Sequence, residues 1–165
     1  MTPAERGRLI DQYAQGPARL RAALATVPAE ALTWRPTAGE WSAHEVVVHC
    51  SDSETASYSR VRTLLTDPEP VIVGYDQDRW ARDLDYHAQS IELALATVTA
   101  VRASTVPLLR GLPESAWGRT GRHTESGAYG MVDWLRIYAD HLEGHSRQIE
   151  ANVQAWRQRG GTPRS

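Results

Sequence analysis

The stretch "EWSAHEVVVHC", residues 40–50, contains a strong signal for the start of a helix. Ser42 followed by Glu45 is a capping box, in which the serine oxygen accepts from the third helical amide and the glutamate accepts from the N-cap amide. Trp41 before the cap and Val46 after it form a hydrophobic staple, which fixes the angle at which the chain enters the helix. The pattern predicts a helix whose cap is Ser42.

Apolar residues at helical spacing extend this prediction to four long helices. The predicted ranges are 2–27, 42–65, 87–109 and 129–158. Pro17, after Gly16, is expected to kink or interrupt the first helix, and Pro107 to bend or end the third. Residues 75–86 are compatible with a short connecting helix, and no sustained alternation typical of strands occurs. We therefore predict an all-α protein, a four-helix bundle whose longer connections allow a crossover.

The composition is that of an ordinary globular chain, with 41% hydrophobic and 23% charged residues among 165. We predict a single domain over residues 1–158 and a flexible C-terminal tail over residues 159–165. No apolar run approaches the roughly 18 residues of a membrane span, and the N-terminus has no apolar signal core, so a cytoplasmic protein is expected. The net charge of −2 and the scattered basic residues argue against a nucleic-acid partner.

His44 and His49 give the opening stretch the look of a zinc-protease helix. Their separation of five residues places them about 140° apart around a helix, whereas a zinc protease needs histidines four residues apart. The protease interpretation is therefore excluded. His49 lies about two turns into the helix among apolar neighbours, where the pattern by itself favours a hydrogen-bonded core histidine over a metal ligand. His44 is predicted to be a partly exposed residue of the first turn.

The last predicted helix contains a second pair, His141 and His145, four residues apart. This spacing places both imidazoles on one face, where a single divalent ion can bridge them; the alternative is a solvated face. The face around them becomes progressively polar along Trp134, Tyr138, His141, His145, Gln148 and Asn152. Together with His49, the pair would provide three neutral nitrogen ligands and an open position, as in catalytic metal sites.

Several motifs in this chain resemble those of one family. They are "L-T-W-R-P" at residues 32–36, "W-S-x-x-E-x-x-x-H", "D-S-E" and "H-x-x-x-H-x-x-Q-I", which correspond here to Trp41, Ser42, Glu45, His49, Asp52, Ser53, Glu54, His141, His145, Gln148 and Ile149. With them the chain resembles the DinB/YfiT-like superfamily over nearly its whole length. The resemblance implies a four-helix bundle that binds a divalent metal between its second and fourth helices, with His49, His141 and His145 as ligands. It also implies a homodimer.

The resemblance further implies a small-molecule substrate, because its members include transferases and isomerases that use low-molecular-weight thiols, and others named metal-dependent hydrolases. We therefore predict a divalent-metal-dependent enzyme, either a thiol S-transferase or a small-molecule hydrolase. The alternative is a non-enzymatic, stress-related protein that binds a metal or ligand. Zinc or nickel is the expected metal, with iron as a further option, because imidazole suits all three.

Two carboxylates lie about one turn from His49 and are candidates to orient its imidazole or to act as a base near it. For Glu45 the capping box already accounts for the spacing from Ser42, so the cap is the preferred role. For Asp52 a place beside the ligand and a solvated surface position stay equally open.

The remaining candidates receive simpler interpretations. Cys50, the only cysteine, excludes an intramolecular disulfide and is predicted to be a small apolar packing residue. His87 and His123 are predicted to be surface residues near connections. The arginines of "RTGRH", residues 119–123, are weak candidates to bind an anionic cosubstrate.

Overall fold

The four long amphipathic segments form helices in a computed structural model of the chain, which describes residues 1–160. The helices are α1 (Pro3–Leu24), α2 (Ala43–Thr66), α3 (Gln77–Asp83), α4 (Ile91–Arg110) and α5 (Met131–Gln158). The strands are β1 (Val71–Ile72), β2 (Thr120–His123) and β3 (Gly127–Gly130). The short helix predicted within residues 75–86 is α3.

The four long helices pack as a bundle in which neighbours in sequence are not always neighbours in space. Helix α1 packs mainly against α5 and α4, while α2 packs mainly against α4 and α5. Consequently α1 and α2 lie diagonally across the bundle, and so do α4 and α5. The chain crosses the bundle in the two corresponding connections, which confirms the predicted four-helix bundle with a crossover.

Both prolines lie inside helices, so an interruption at Pro17 and a helix end at Pro107 are wrong, while the kink and the bend stay predictions. Each proline removes one helical hydrogen bond, but the residues on both sides are held by tertiary packing. Tyr13 and Leu20 flank Pro17 in α1, and both are fully buried. Pro107 lies in the last turn of α4, and Leu109 beyond it is buried as well.

The three strands form a small sheet that the sequence did not predict. Their order is β1-β2-β3, with β1 parallel to β2 and β2 antiparallel to β3. Strands of two to four residues are too short to show the alternation by which strands are recognised in a sequence.

The bundle has two apolar clusters with polar residues buried between them. We call this set the polar layer; it consists of Glu54, Ser57, Arg102 and Thr105, all at most 1% exposed. On α2 the layer lies between Cys50 of one cluster and Val61 of the other. On α4 it lies between Val98 and Leu109. The layer therefore crosses the middle of the bundle.

One helix within residues 1–160, α4, is long and apolar enough to cross a membrane by length and composition. The expectation from the sequence concerned an uninterrupted apolar run, and α4 is not such a run because it contains Glu92 and Arg102. A helix packed inside a bundle meets the same conditions. Helix α4 packs against α1 and α2 and buries a charged residue, Arg102.

The predicted boundary between domain and tail falls at the end of α5. Helix α5 ends at Gln158, and Arg159 and Gly160 form a turn. The rest of the predicted tail, residues 161–165, lies outside the described residues, and the division into domain and tail stays a prediction.

Candidate metal centre

Three histidines from two helices meet on the side of the bundle where α2 packs against α5. His49 lies in the second turn of α2 and is 2% exposed, while His141 and His145 are half-buried on α5. One ligand atom from each lies within 4.8 Å of those of the other two. Within residues 1–160, no cysteine, carboxylate or fourth histidine joins this group. The predicted trio is therefore brought together in space, at a spacing at which one ion can be shared.

The start of α2 positions His49. The predicted capping box is confirmed: Ser42 Oγ accepts from the Glu45 amide at 3.2 Å, and Glu45 accepts from the Ser42 amide at 2.9 Å. The Glu45 carboxylate also accepts from Arg35 Nε at 2.8 Å. A helix whose first turn is held this firmly delivers the side chain one turn further on in a defined direction.

Trp41, just before the cap, covers one side of the His49 ring. The two ring centroids are 4.6 Å apart. The backbone carbonyl of Trp41 accepts from Asn152 Nδ2 on α5 at 2.9 Å. This bond connects the start of α2 to the helix that carries the other two histidines. It therefore helps to fix the position of His49 relative to His141 and His145.

Burial keeps at least two of the imidazoles neutral at physiological pH. Burial lowers the pKa of His49 to about 2, with further lowering by His145 and His141. Burial, followed by His141, lowers the pKa of His145 to about 4. His145 Nδ1 donates to Gln148 Oε1 at 2.8 Å, which leaves Nε2 with its lone pair. Neutral imidazoles with free lone pairs are the form that binds a metal.

The trio fits a divalent metal ion. Nδ1 of His49 is buried and has no hydrogen-bond partner, although buried polar atoms are nearly always paired. Three imidazole nitrogens suit the divalent ions of zinc, nickel, iron and copper. Because the described residues supply three ligands rather than four, an ion held here would keep a position open, as in catalytic sites.

Two clefts lead to the trio from outside. One, of about 530 Å³, includes His141 and His145 in its wall, and its other lining residues are Arg136, Ile137, Asp140, Gly144 and Gln148. A smaller one, of about 280 Å³, shares His145 and Gln148 with the first. A side chain at Gly144 would meet only Arg147 at 3.8 Å, so this part of α5 is open rather than packed against another helix. A small molecule can therefore approach the trio.

The two predicted carboxylate partners make their hydrogen bonds elsewhere. Asp52 accepts from the hydroxyl of Tyr86 at 2.6 Å. Glu45 is engaged in the cap and the Arg35 pair described above. The direction of these bonds supports a structural role for both residues.

Glu54, one helical turn beyond Cys50, is the carboxylate that lies beside the trio; it is the last residue of the "D-S-E" motif, for which the sequence predicted no role. Its Oε1 is 3.7 Å from His141 Nδ1 and 2.6 Å from Arg102 Nη2. Burial by itself raises the pKa of Glu54, but Arg102 and His141 outweigh it and hold the pKa below its usual value. The "D-S-E" motif, together with a glutamate and an arginine on two predicted core helices, is the signal from which the sequence could have identified this contact.

Cys50 and His44, the other candidates near His49 on α2, contact groups outside the trio. Cys50 is fully buried in an apolar cluster, and burial raises the pKa of its thiol, so the packing role is confirmed. His44 is only 9% exposed and donates to Gln89 O at 2.9 Å, so the prediction of a partly exposed residue is wrong. The reason is that the turn before α4 covers the first turn of α2.

The remaining predicted surface residues differ from one another. His87 is half-buried and its Nε2 lies 2.8 Å from Ser42 Oγ, which makes it part of the helix cap rather than a simple surface residue. His123 lies on β2, half-buried against Tyr129. Arg119 donates to Leu64 O at 2.6 Å, so this arginine anchors the end of α2 and is not free to bind an anion.

Comparison with known proteins identifies the family. The family model of the DinB superfamily matches residues 12–149. The chain is 34% identical over 111 residues to a protein of Oceanobacillus iheyensis, which covers 67% of this chain and 64% of that protein, just under two thirds of its length. It is 27% identical over 144 residues to a protein of Bacillus licheniformis, covering 87% and 82%. Both relatives bear the name "Putative metal-dependent hydrolase".

A solved structure supports the same assignment at the level of the fold. YfiT from Bacillus subtilis superimposes with a TM-score of 0.85 at 24% identity, covering 97% of this chain and 90% of YfiT. That protein is described as "a probable metal-dependent hydrolase with an unusual four-helix bundle topology". The chain has the YfiT fold, and it belongs to the DinB superfamily.

Proposed function

We propose that this protein is a divalent-metal-dependent enzyme that acts on a small molecule, with hydrolysis as its reaction. His49, His141 and His145 are the proposed ligands. The observation that carries the proposal is that these imidazoles converge beside an open cleft while the buried Nδ1 of His49 lacks any partner. The names of the relatives from Oceanobacillus and Bacillus support the reaction class.

A divalent ion held by three neutral histidines supplies a Lewis acid that lowers the pKa of a bound water to about 7. The chain's own residues prepare the site for that chemistry. Gln148 orients His145 through its hydrogen bond, and Trp41 shields His49 from water on one side. The clefts leave the other side of the trio accessible to substrate.

Transfer of a low-molecular-weight thiol is a second candidate reaction of the same site. The only cysteine of the chain is buried and its pKa is raised, so it supplies no thiolate to the cleft. A thiol reaction here would therefore take its thiol from a small cosubstrate. The resemblance to thiol-using members of the superfamily supports this candidate.

The proposal includes the setting in which the enzyme works. We expect zinc or nickel as the metal, with iron as a further option, and a cytoplasmic homodimer without a nucleic-acid or membrane partner. Elemental analysis of purified protein distinguishes the metals, and light scattering on the eluting protein measures the number of chains.

The reaction is tested with metal-reconstituted protein on a panel of esters, amides and phosphoesters, each with and without thiol cosubstrates. We expect turnover that disappears on chelation, returns with the metal and is absent from the His49→Ala, His141→Ala double variant. The control is His123→Ala, which removes a histidine that contacts Tyr129 instead of the trio. Tight, stoichiometric metal without turnover on any substrate would contradict the enzyme and favour a non-enzymatic metal- or ligand-binding protein.

A further inference from the structure

The polar layer contains a buried ion pair that the proposed reaction does not yet use. Arg102 on α4 and Glu54 on α2 are 1% and 0% exposed, and Arg102 Nη2 donates to Glu54 Oε1 at 2.6 Å. Desolvation of two charges often cancels what a buried pair gains from attraction, so stability alone is a poor reason for such a pair.

The arginine is fixed by more than the carboxylate. Its Nη1 donates to Tyr13 O at 2.5 Å, and its Nη2 also donates to Tyr138 O at 2.8 Å. The guanidinium carbon lies 4.0 Å from the ring centroid of Tyr13. Arg102 therefore connects α1, α2, α4 and α5 at one level of the bundle, and this holds the Glu54 carboxylate in one orientation.

A glycine makes room for this arginine. A Cβ at Gly16 would clash with Arg102 Nη1 and would also meet Leu142 at 3.0 Å. Gly16 is buried in α1, a helix interior where glycine is unfavourable by itself. The close approach of the guanidinium accounts for a glycine at this position.

The carboxylate faces one histidine of the trio. Glu54 Oε1, the same oxygen that accepts from Arg102, is 3.7 Å from Nδ1 of His141. That nitrogen is buried and has no partner at hydrogen-bond distance. A carboxylate beside a ligand imidazole fixes which nitrogen carries the proton, orients the ring and makes the other nitrogen a stronger donor.

We propose that Glu54, held in place by Arg102, is a positioning residue that accepts from His141 Nδ1–H and so presents His141 Nε2 to the metal. The proposal rests on the proposed metal centre. The contact at 3.7 Å needs to shorten by roughly 0.7 Å to become an ordinary hydrogen bond. The other two histidines have different neighbours: Gln148 orients His145, and Trp41 covers His49.

The test separates positioning from plain structural support. In the full-length protein, Glu54→Met with Arg102→Met removes both charges at similar volume, so no unpaired charge stays buried. Glu54→Gln with Arg102→Met restores an oxygen that can accept from His141. The matched control is Glu143→Gln, which removes a carboxylate from α5 that pairs with Arg19 and Arg147.

Zinc affinity is measured by competition with a chromophoric chelator, after circular dichroism has shown each variant to be folded. We expect the double-methionine variant to bind zinc 10- to 100-fold more weakly, the glutamine variant to recover part of the loss, and Glu143→Gln to match the wild type. In metal-free protein, ¹⁵N NMR should find His141 as the Nδ1–H tautomer in the wild type and as a mixture in the double-methionine variant.

Each outcome bears on one of the two proposals. A folded double-methionine variant with wild-type zinc affinity and an unchanged His141 tautomer overturns the positioning role and leaves the metal centre standing. A wild-type protein that binds no zinc, nickel or iron overturns the metal centre, and the positioning role with it. If the double-methionine variant does not fold, Gly16→Ala displaces Arg102 while Glu54 stays, and wild-type zinc affinity there also overturns the positioning role.

Discussion

Two groups of histidines lie near the start of α2, and they differ in what their nitrogens contact. In the cap pair, formed by His44 and His87, His44 Nε2 donates to Gln89 O and His87 Nε2 lies 2.8 Å from Ser42 Oγ. In the trio, Nδ1 of His49 and Nδ1 of His141 are buried without a partner. The cap pair makes its hydrogen bonds within the protein, whereas His49 Nδ1 has no protein partner and His141 Nδ1 has only the Glu54 carboxylate nearby, at 3.7 Å.

Helix α2 carries both a structural histidine, His44, and a candidate metal ligand, His49, because the two side chains leave the helix in different directions. His44 and His49 are five residues apart, so their side chains leave α2 about 140° from each other. One joins the cap and the turn before α4, and the other faces α5. Burial is similar for both, at 9% and 2% exposed, so burial alone does not separate a structural histidine from a candidate ligand.

Removal of two members of the trio gives the largest expected effect. His49→Ala with His141→Ala should lower zinc affinity by more than about 100-fold, since even the outer partners of ligands contribute 10- to 100-fold. The cap-pair variant His44→Gln with His87→Gln should bind zinc like the wild type. Isothermal titration calorimetry measures both, and weakened binding in the cap-pair variant alone would reverse the comparison.

The pH dependence of stability in the metal-free protein gives the next largest effect. Burial lowers the pKa of His49 to about 2 and of His145 to about 4 from an ordinary value of 6.5. As the pH falls below 6.5 the unfolded chain takes up protons that the folded chain refuses, so the free energy of unfolding should fall between pH 6.5 and 4. Each histidine contributes a slope of about 1.4 kcal/mol per pH unit.

Urea unfolding at several pH values measures this slope. His49→Gln should reduce the slope of the free energy of unfolding against pH by about 1.4 kcal/mol per pH unit, which corresponds to one proton, because glutamine does not titrate. His44→Gln alone serves as the control for the loss of a histidine elsewhere on α2. An identical slope in wild type and His49→Gln would contradict the neutral, buried state of His49.

Loss of the cap serine should reduce stability without removing the metal. Ser42 is fully buried and its hydroxyl accepts from the Glu45 amide, so Ser42→Ala should lower the free energy of unfolding by about 1–2 kcal/mol. Ser104→Ala, at an exposed serine that bonds only its own helix, should change it much less. Chemical denaturation measures the change in stability, and elemental analysis measures the metal content. Loss of the metal on Ser42→Ala would show that the trio depends on the helix cap.

The smallest effect is expected from one half of the cap pair. His87 is half-buried and shares one hydrogen bond with Ser42, so His87→Gln should cost about 0.5 kcal/mol, the lower end for a single hydrogen bond. Thermal unfolding measures the change. A drop in zinc affinity larger than the drop in stability would place His87 among the residues that support the trio.

The sequence was sufficient where local signals decide the structure. The capping box at Ser42 depends on only four consecutive residues. The spacing of His141 and His145 places them on one face of a helix whatever surrounds them. Convergence of these two with His49 followed from the resemblance together with helical geometry. The direction of each side chain on its own helix was thus predictable.

Features that depend on partners distant in the chain were not predictable in this way. The contact of Arg102 with Glu54 joins positions 48 residues apart, and the sequence predicted an apolar face on α4 where this charge is buried. The burial of His44 depends on the turn that contains Gln89. Local chemistry favours a kink or an interruption at Pro17, while the packing of the turns on either side keeps α1 continuous.

The most direct test of the metal centre is anomalous diffraction from crystals grown with zinc, recorded on both sides of the zinc absorption edge. We predict one peak per chain, about 2.0–2.1 Å from one nitrogen each of His49, His141 and His145, the normal zinc–imidazole distance. We predict no peak at His44 and His87. A zinc peak at the cap pair, or no peak at the trio in protein that carries stoichiometric zinc, would contradict the account.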